Sequence, residues 1–225
     1  METIRQITPE LLDSAGSLLA EAFFTNPAHT YICPDPGRRR DQLEWLLGGN
    51  LRLQDLRASF CLTNGPAVDA MGFWTASTAP RIGTLRKIRA GLLAAPSRLG
   101  WAGVRRLFEV TGEIDRHLEQ TLGDQPYWYL NNMVVREHLR GTGIGTRLLR
   151  HQLAIVAETE PAYAIALSTQ RPENVTFYQR LGFHVELDQI IGSGPGAFRN
   201  WVMVRAASTT PFGFGPEAPR TTGNR

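Results

Sequence analysis

The residues with the clearest chemical potential lie in Asn131-Asn132-Met133-Val134-Val135-Arg136-Glu137-His138-Leu139-Arg140-Gly141-Thr142-Gly143-Ile144-Gly145-Thr146. A strand-like run passes into three glycines that open an amphipathic helix. Glycines put no side chain in the way, so backbone N–H groups can converge on phosphate oxygens. The helix N-terminus adds partial positive charge. The spacing predicts a phosphate or pyrophosphate cradle. Other phosphate loops do not fit. Thr146 stands where a P-loop needs its second glycine, and Arg147 where it needs lysine. Thr146 also replaces the third glycine of a dinucleotide fingerprint, and the next strand ends in Leu167-Ser168 with no acidic residue. The further signatures of a kinase are missing.

A second stretch, Asn174-Val175-Thr176-Phe177-Tyr178-Gln179-Arg180-Leu181-Gly182-Phe183, lies beyond the cradle. Arg140–Gly145 resembles the Arg/Gln-x-x-Gly-x-Gly/Ala signature of GNAT acetyltransferases. Asn174–Phe183 resembles that family's segment of an asparagine followed by Phe-Tyr-x-x-x-Gly-Phe. At motif level the resemblance spans Tyr127–Phe183, and in element order nearly the whole chain. It implies acetyl-CoA as co-substrate and a small-molecule amine as acceptor, acetylated by direct attack through a tetrahedral intermediate. By the same resemblance Arg140, Gly141, Gly143, Gly145 and Thr146 hold the pyrophosphate, while Met133 and Val135 offer main chain to the pantetheine arm. Asn174 touches that arm, and its place after Pro172-Glu173 also suits a helix start. Tyr178 is the implied general acid: a phenol of pKa ~10 can protonate a thiol of pKa ~8.5 as it leaves. Phe177 and Leu181 beside it read as packing residues.

The helical segment before the central strand and Pro126-Tyr127-Trp128-Tyr129-Leu130 look like the puromycin N-acetyltransferase branch. Where that branch usually carries Leu-Glu-Thr, this chain has Leu167-Ser168-Thr169. The base that takes the amine proton is not singled out: Glu21, Glu113, Glu119, His29, His117 and His138 all qualify, as does a water chain. Two further functions stay open, transfer to a protein amine or a hydroxyl, and a non-catalytic acyl-CoA-binding domain.

Elements must position these residues. Thr3–Ile7 reads as a strand, and Thr8-Pro9 as the start of a helix with apolar positions at Leu11, Leu12, Ala15, Leu18, Leu19, Ala22 and Phe23. Asn26-Pro27 reads as its end, with a loop through Gly37 and a second helix around Leu43–Leu51. Arg57–Thr63 and Ala67–Thr75 form a hairpin across Asn64-Gly65-Pro66. Residues 81–122 read as a helical insertion interrupted at Pro96-Ser97. Then come a strand at Tyr127–Val135, a helix at Thr146–Glu158, a strand at Ala162–Leu167, a helix at Pro172–Leu181, and strands at Phe183–Gln189 and Arg199–Arg205. The expected fold is α/β (α+β): a mixed, mostly antiparallel sheet of six to seven strands flanked by helices. Residues 1–206 form one domain in this reading, and 207–225 a mobile tail. Acceptor recognition falls to the first helix, the 26–37 loop, the insertion and the Gly192–Gly196 loop. Phe24, Tyr31, Trp74, Trp101, Tyr127 and Trp128 are the aromatic candidates for lining that cleft, with most of them expected in the core.

The bulk properties agree with a soluble enzyme. The chain has 225 residues, 42% apolar and 20% charged, enough for one cored domain. No apolar run reaches the ~18 residues of a membrane span, and the first residues lack a secretory apolar segment, so the expectation is a cytoplasmic protein without a membrane partner. A net charge of +3 is too small to imply nucleic acid. Cys33 and Cys61 lack metal-site spacing and read as reduced, packed side chains, so no metal is expected. Monomer and homodimer both remain compatible.

Overall fold

A computed structural model describes residues 3–54, 56–80, 83 and 91–207. Seven strands make one sheet: β1 (Thr3–Gln6), β2 (Phe60–Asn64), β3 (Ala67–Ala76), β4 (Tyr127–Val135), β5 (Ala164–Thr169), β6 (His184–Ile191) and β7 (Phe198–Arg205). Their spatial order is β1-β2-β3-β4-β5-β7-β6. Every neighbouring pair is antiparallel except β4 and β5. This is the mixed, mostly antiparallel sheet expected.

Helices cover both faces. One face carries α1 (Leu12–Phe23), α2 (Pro27–Ile32), α3 (Pro36–Leu53) and α4 (Ala95–Leu122); the other carries α5 (Ile144–Thr159) and α6 (Pro172–Gln179). Strand alternation sorts the core. Met71, Phe73 and Val134 pack with Leu18, Leu19 and Leu43 on the first face, while Trp74 and Leu130 pack with Leu149, Leu153 and Tyr178 on the second.

Between Phe73 and Trp74 the β3–β4 register shifts: Phe73 pairs Asn132 and Trp74 pairs Leu130. Asn131 is the extra residue of a β-bulge, and a bulge bends its strand and re-aims the residues beyond it. Its amide donates to Thr75 Oγ1 at 2.6 Å. β4 pairs with β5 only from Tyr127 to Leu130, against Ala164 to Leu167. Beyond those pairs β4 stays with β3 and β5 stays with β7, so the two central strands splay apart.

Three expectations change. Asn26-Pro27 and Asp35-Pro36 do not bound a loop; they start α2 and α3. Asn26 Oδ1 accepts from Ala28 and His29 N–H, and Asp35 Oδ1 from Gly37 N–H, with proline at the first helical position each time. Pro96 likewise opens α4 and does not interrupt it; the break in that helix is at Gly100 (φ 72°, ψ 160°). Thr8 does stand at a helix start, but the first turn is a 3-10 turn without a side-chain cap. Residues 81, 82 and 84–90 of the expected insertion and the tail from 208 lie outside the described residues. Cys33 and Cys61 are buried, free thiols.

α5 is fixed to the sheet by Gln152, which is fully buried and donates from Nε2 to the carbonyls of Gly72 (2.8 Å) and Phe60 (3.2 Å). A Cβ on Gly72 would lie 2.0 Å from Gln152 Oε1, so the approach requires glycine. Gln152→Leu removes both of these hydrogen bonds, each worth ~0.5–1.5 kcal/mol, while the two carbonyls keep their place in the Phe60–Gly72 pair. The expected loss is about 1–2 kcal/mol, read as a lower urea midpoint; an unchanged midpoint would mean that water replaces the amide.

Candidate active site

The cradle forms where β4 hands over to α5. Gly141 (φ 80°) and Gly143 (φ 85°) both take left-handed backbone that other residues avoid. Gly143 is the N-cap of α5, no side chain caps the helix, and the first intrahelical bond is Arg147 N–H to Gly143 O at 3.0 Å. The N–H groups of Ile144, Gly145 and Thr146 are therefore the helix's unsatisfied donors, ready for an anion. Gly145 has a different reason to be glycine: a Cβ there would sit 3.2 Å from Val135 Cγ2 and 3.8 Å from both Met133 Cε and Phe177 Cζ. It lets α5 lie close to the central strand.

The splay begins beside this turn. Arg136 N–H donates to Asp69 O at 2.8 Å, one step past the Ala70–Val135 pair. Antiparallel residues alternate between exchanging hydrogen bonds and turning away from their partner strand. By that alternation Val134 and Asn132 bond β3, whereas Met133 and Val135 turn their N–H and C=O toward the gap left by β5. Arg140 bears this out: its Nε donates to Val135 O at 3.2 Å. The guanidinium thus folds back on the strand that precedes it in the chain.

The gap opens into a cavity of about 540 Å³ that reaches from Met133, Asn174 and Tyr178 to α1, α2, α3 and α4. Its apolar wall includes Phe23, Ile32, Trp45, Leu107, Val110 and Ile114. Its polar end gathers Asn26, His29, Asn131, Asn132, Ser168 and Gln170. Among the described residues Asp115 is its sole lining carboxylate, and no lysine or arginine lines it. That charge pattern suits a cation or a neutral amine better than an anion.

Tyr178 is 7% exposed, its ring edge-on to Phe177 and Phe183 with centroids 5.1 and 5.7 Å away. Burial pushes its phenol well above the ordinary range, so it stays protonated. It is both the core residue and the cavity residue that its position suggested. Asn174 lines the same cavity, with its Nδ2 donating to Thr169 Oγ1 at 3.1 Å.

Other expectations fail. None of Phe24, Tyr31, Trp74, Trp101, Tyr127 and Trp128 lines the cavity; the aromatic lining is Phe23, Trp45, Phe108 and Tyr129, besides Tyr178. Trp74 is core, and Trp101 points to solvent at 77% exposure. The Gly192–Gly196 loop packs on the Tyr31 ring, where Cβ atoms on Gly192 and Gly196 would come within 2.9 and 3.1 Å. Helical period identifies a buried stripe but not a half-buried ring at a cavity mouth, which is why it does not single out Phe23 and Trp45.

Of the base candidates, only His29 lines the cavity. Glu21 faces Arg136 (3.5 Å), Glu113 pairs with Arg116, and Glu119 is exposed. His117 is buried beneath Asn200, its Nδ1 3.3 Å from Asn200 Nδ2. His29 stacks on Phe23 with centroids 4.7 Å apart, and burial lowers its pKa to about 4. It is neutral at physiological pH.

Comparison with known proteins bears on the fold and on one stretch of the sequence. Residues 100–185 match the model described as Acetyltransferase (GNAT) domain. Among solved structures, the chain is similar to the histone acetyltransferase HPA2 and related acetyltransferase from Corynebacterium glutamicum (19% identity, 93% of this chain and 98% of that one, TM-score 0.65). It is also similar to arylalkylamine N-acetyltransferase 2 from Aedes aegypti (11%, 92% and 99%, TM-score 0.60). A third is the ribosomal-protein-S18-alanine N-acetyltransferase from Escherichia coli (15%, 93% and 96%, TM-score 0.53). The sheet has the fold of these acetyltransferases, and the family resemblance in sequence is confined to residues 100–185. The protein is an acyltransferase.

Proposed function

We propose that the protein transfers an acetyl group from acetyl-CoA to the amine of a small molecule with an apolar body. The observation that carries this reading is the β4–β5 splay, which opens at Met133, Asn174 and Tyr178 into an apolar cavity with a polar end, while Gly145 of the cradle packs against Met133. The open N–H groups of Ile144, Gly145 and Thr146, with the turn at Gly141 and Gly143, hold the pyrophosphate. The pantetheine arm lies along the main chain of Met133 and Val135 as a substitute for the strand that β5 does not supply. Asn174 flanks the same arm.

The thioester then stands at the splay. A main-chain N–H directed there stabilises the tetrahedral oxyanion, a contribution of about 3 kcal/mol for a well-placed donor. Tyr178 gives its proton to the sulfur as the C–S bond breaks. The acceptor enters from the α1–α4 side. An apolar wall built from α1 to α4 favours a small molecule with an apolar body over a lysine on a protein surface, and the arylalkylamine enzyme among the similar structures is consistent with that class. The insertion helix α4 before β4 supports placement near the puromycin-type branch. Among the described residues no helix is long and apolar enough to cross a membrane, in keeping with the proposed cytoplasmic setting.

The test is thiol release from acetyl-CoA across aromatic amines, polyamines, aminoglycosides and lysine peptides. Turnover confined to amines with apolar bodies is expected; turnover of lysine peptides alone would overturn the acceptor assignment. A second test addresses the cradle. Gly145→Val forces branched carbons against Val135 and Phe177, and overpacking of this kind costs ~1–3 kcal/mol. Affinity for CoA, measured by titration calorimetry, should fall about tenfold. An unchanged Kd would place the pyrophosphate elsewhere.

A further inference from the structure

We propose that His29 is the general base of the reaction, taking the proton from the attacking nitrogen at Nε2. This rests on the acetyl-transfer reading of the cavity. A hydrogen-bond chain fixes the imidazole's tautomer. Asn26 Oδ1 accepts from the backbone N–H groups of Ala28 (3.0 Å) and His29 (3.4 Å), so that atom is the oxygen. His29 Nδ1 lies 3.0 Å from the same oxygen. An amide oxygen has no proton to donate, so Nδ1 carries the hydrogen and neutral His29 has its lone pair on Nε2. No partner for Nε2 occurs among the described residues, and the ring lines the cavity.

The arrangement is braced from the far side. Asn26 Nδ2 donates to Gln170 Oε1 at 3.2 Å, and Gln170 Nε2 donates to Asn200 Oδ1 at 2.8 Å. Ser168 Oγ donates to the same Asn200 oxygen at 2.6 Å. These bonds tie α2 to the ends of β5 and β7, where the splay opens. Asn26 is 4% exposed and Asn200 fully buried, so both ends of the brace are anchored in the core. A base held in one tautomer by an amide oxygen, with its free nitrogen on the substrate side, has the geometry that nucleophile activation requires. Burial keeps the ring neutral, so the lone pair is available at neutral pH.

The proton account closes. The amine binds neutral and its nitrogen attacks the thioester carbon; the C–N bond forms and the carbonyl π pair moves to oxygen. The nitrogen becomes acidic as it gains positive character, and one of its protons passes to His29 Nε2. The oxyanion collapses, the C–S bond breaks, and Tyr178 gives a proton to sulfur. Exchange with water then returns a proton to Tyr178 and removes one from His29. Amide and thiol are formed with no net proton change.

The experiment uses the full-length protein with the acceptor that the amine panel selects. Loss of a general base costs about 10²–10⁴-fold. His29→Ala is expected to lower kcat about 10²-fold with KM for acetyl-CoA within about threefold, and added imidazole should restore at least about tenfold, where salt at equal ionic strength does not. His29→Gln can still donate to Asn26 Oδ1 yet offers no basic atom; it should lose kcat to the same extent, and it carries the test if the alanine variant fails to fold. Wild-type kcat in His29→Gln, or a His29→Ala defect that imidazole leaves untouched, would overturn the assignment. Both outcomes leave the wild-type reaction standing. Absence of thiol release by the wild-type protein with every amine would instead sink the enzymatic reading, and the base with it.

Discussion

Tyr178→Phe should reduce kcat by about 10²-fold or more while leaving the fold and CoA binding intact. The substitution removes one oxygen and keeps the ring that packs between Phe177 and Phe183. The hydroxyl has no hydrogen-bond partner among the described residues, so no buried partner is stranded by its loss, and thermal stability should change little. A leaving thiolate must otherwise find its proton from water in a site walled on this side by Tyr129, Leu130 and Met133. The discriminating comparison is an activated acyl donor with a better leaving group than CoA. If Tyr178 protonates the sulfur, the defect should shrink as the leaving group's own pKa falls. A defect of equal size with both donors, or a kcat within about threefold of wild type, would reduce Tyr178 to a packing residue.

The turn proposed to hold the cofactor is legible in the sequence because it is local. A glycine turn after a strand and before an amphipathic helix can be read from consecutive residues: Gly141 and Gly143 take the left-handed turn and Gly145 lies against Met133 and Val135. The acceptor half is not legible, because its polar end is assembled from distant segments. Asn26, Gln170 and Asn200 meet only after β5 and β7 pair and α2 docks against them. Asn26-Pro27 carries a signal that points both ways: a side-chain cap with proline after it begins a helix as readily as it ends one. The aromatic lining escapes the sequence for a related reason. Composition suggests which rings can pack, but only the crossing of α1, α3 and α4 decides which of them face a void.

The bulge at Asn131 shows why a position can matter without a motif. One extra residue in β4 makes Tyr129 and Asn132 share the α4 face, and Leu130 and Met133 the α5 face, although each pair is three apart. An alternation rule applied to the sequence from Tyr127 onward would assign the second half of the strand to the wrong faces. The bulge also coincides with the last β4–β5 pair, so the distortion and the opening of the sheet are one structural event.

The same burial that keeps His29 neutral should weaken the protein in mild acid. The folded-state pKa is about 4 and the ordinary value 6.5, so between these limits the unfolded chain holds a proton that the folded chain does not. Stability then rises with pH across that window. The full contribution is present above about pH 6.5 and is lost as pH falls toward 4; with the ring partly open to cavity water, it amounts to about 2–3 kcal/mol. His117, lowered by burial and then by Arg116, acts in the same direction. Carboxylates also titrate as the pH drops, but they are common to wild type and variant. Urea unfolding of wild type and His29→Gln between about pH 7 and pH 4.5 isolates the histidine. The wild-type curve should be steeper by nearly one proton through the middle of the window. Parallel curves would mean that His29 exchanges its proton freely with solvent, which would remove the physical basis for its neutrality. A steeper wild-type curve together with a lost kcat in the same variant would tie the acid sensitivity of the fold to the group that activates the amine.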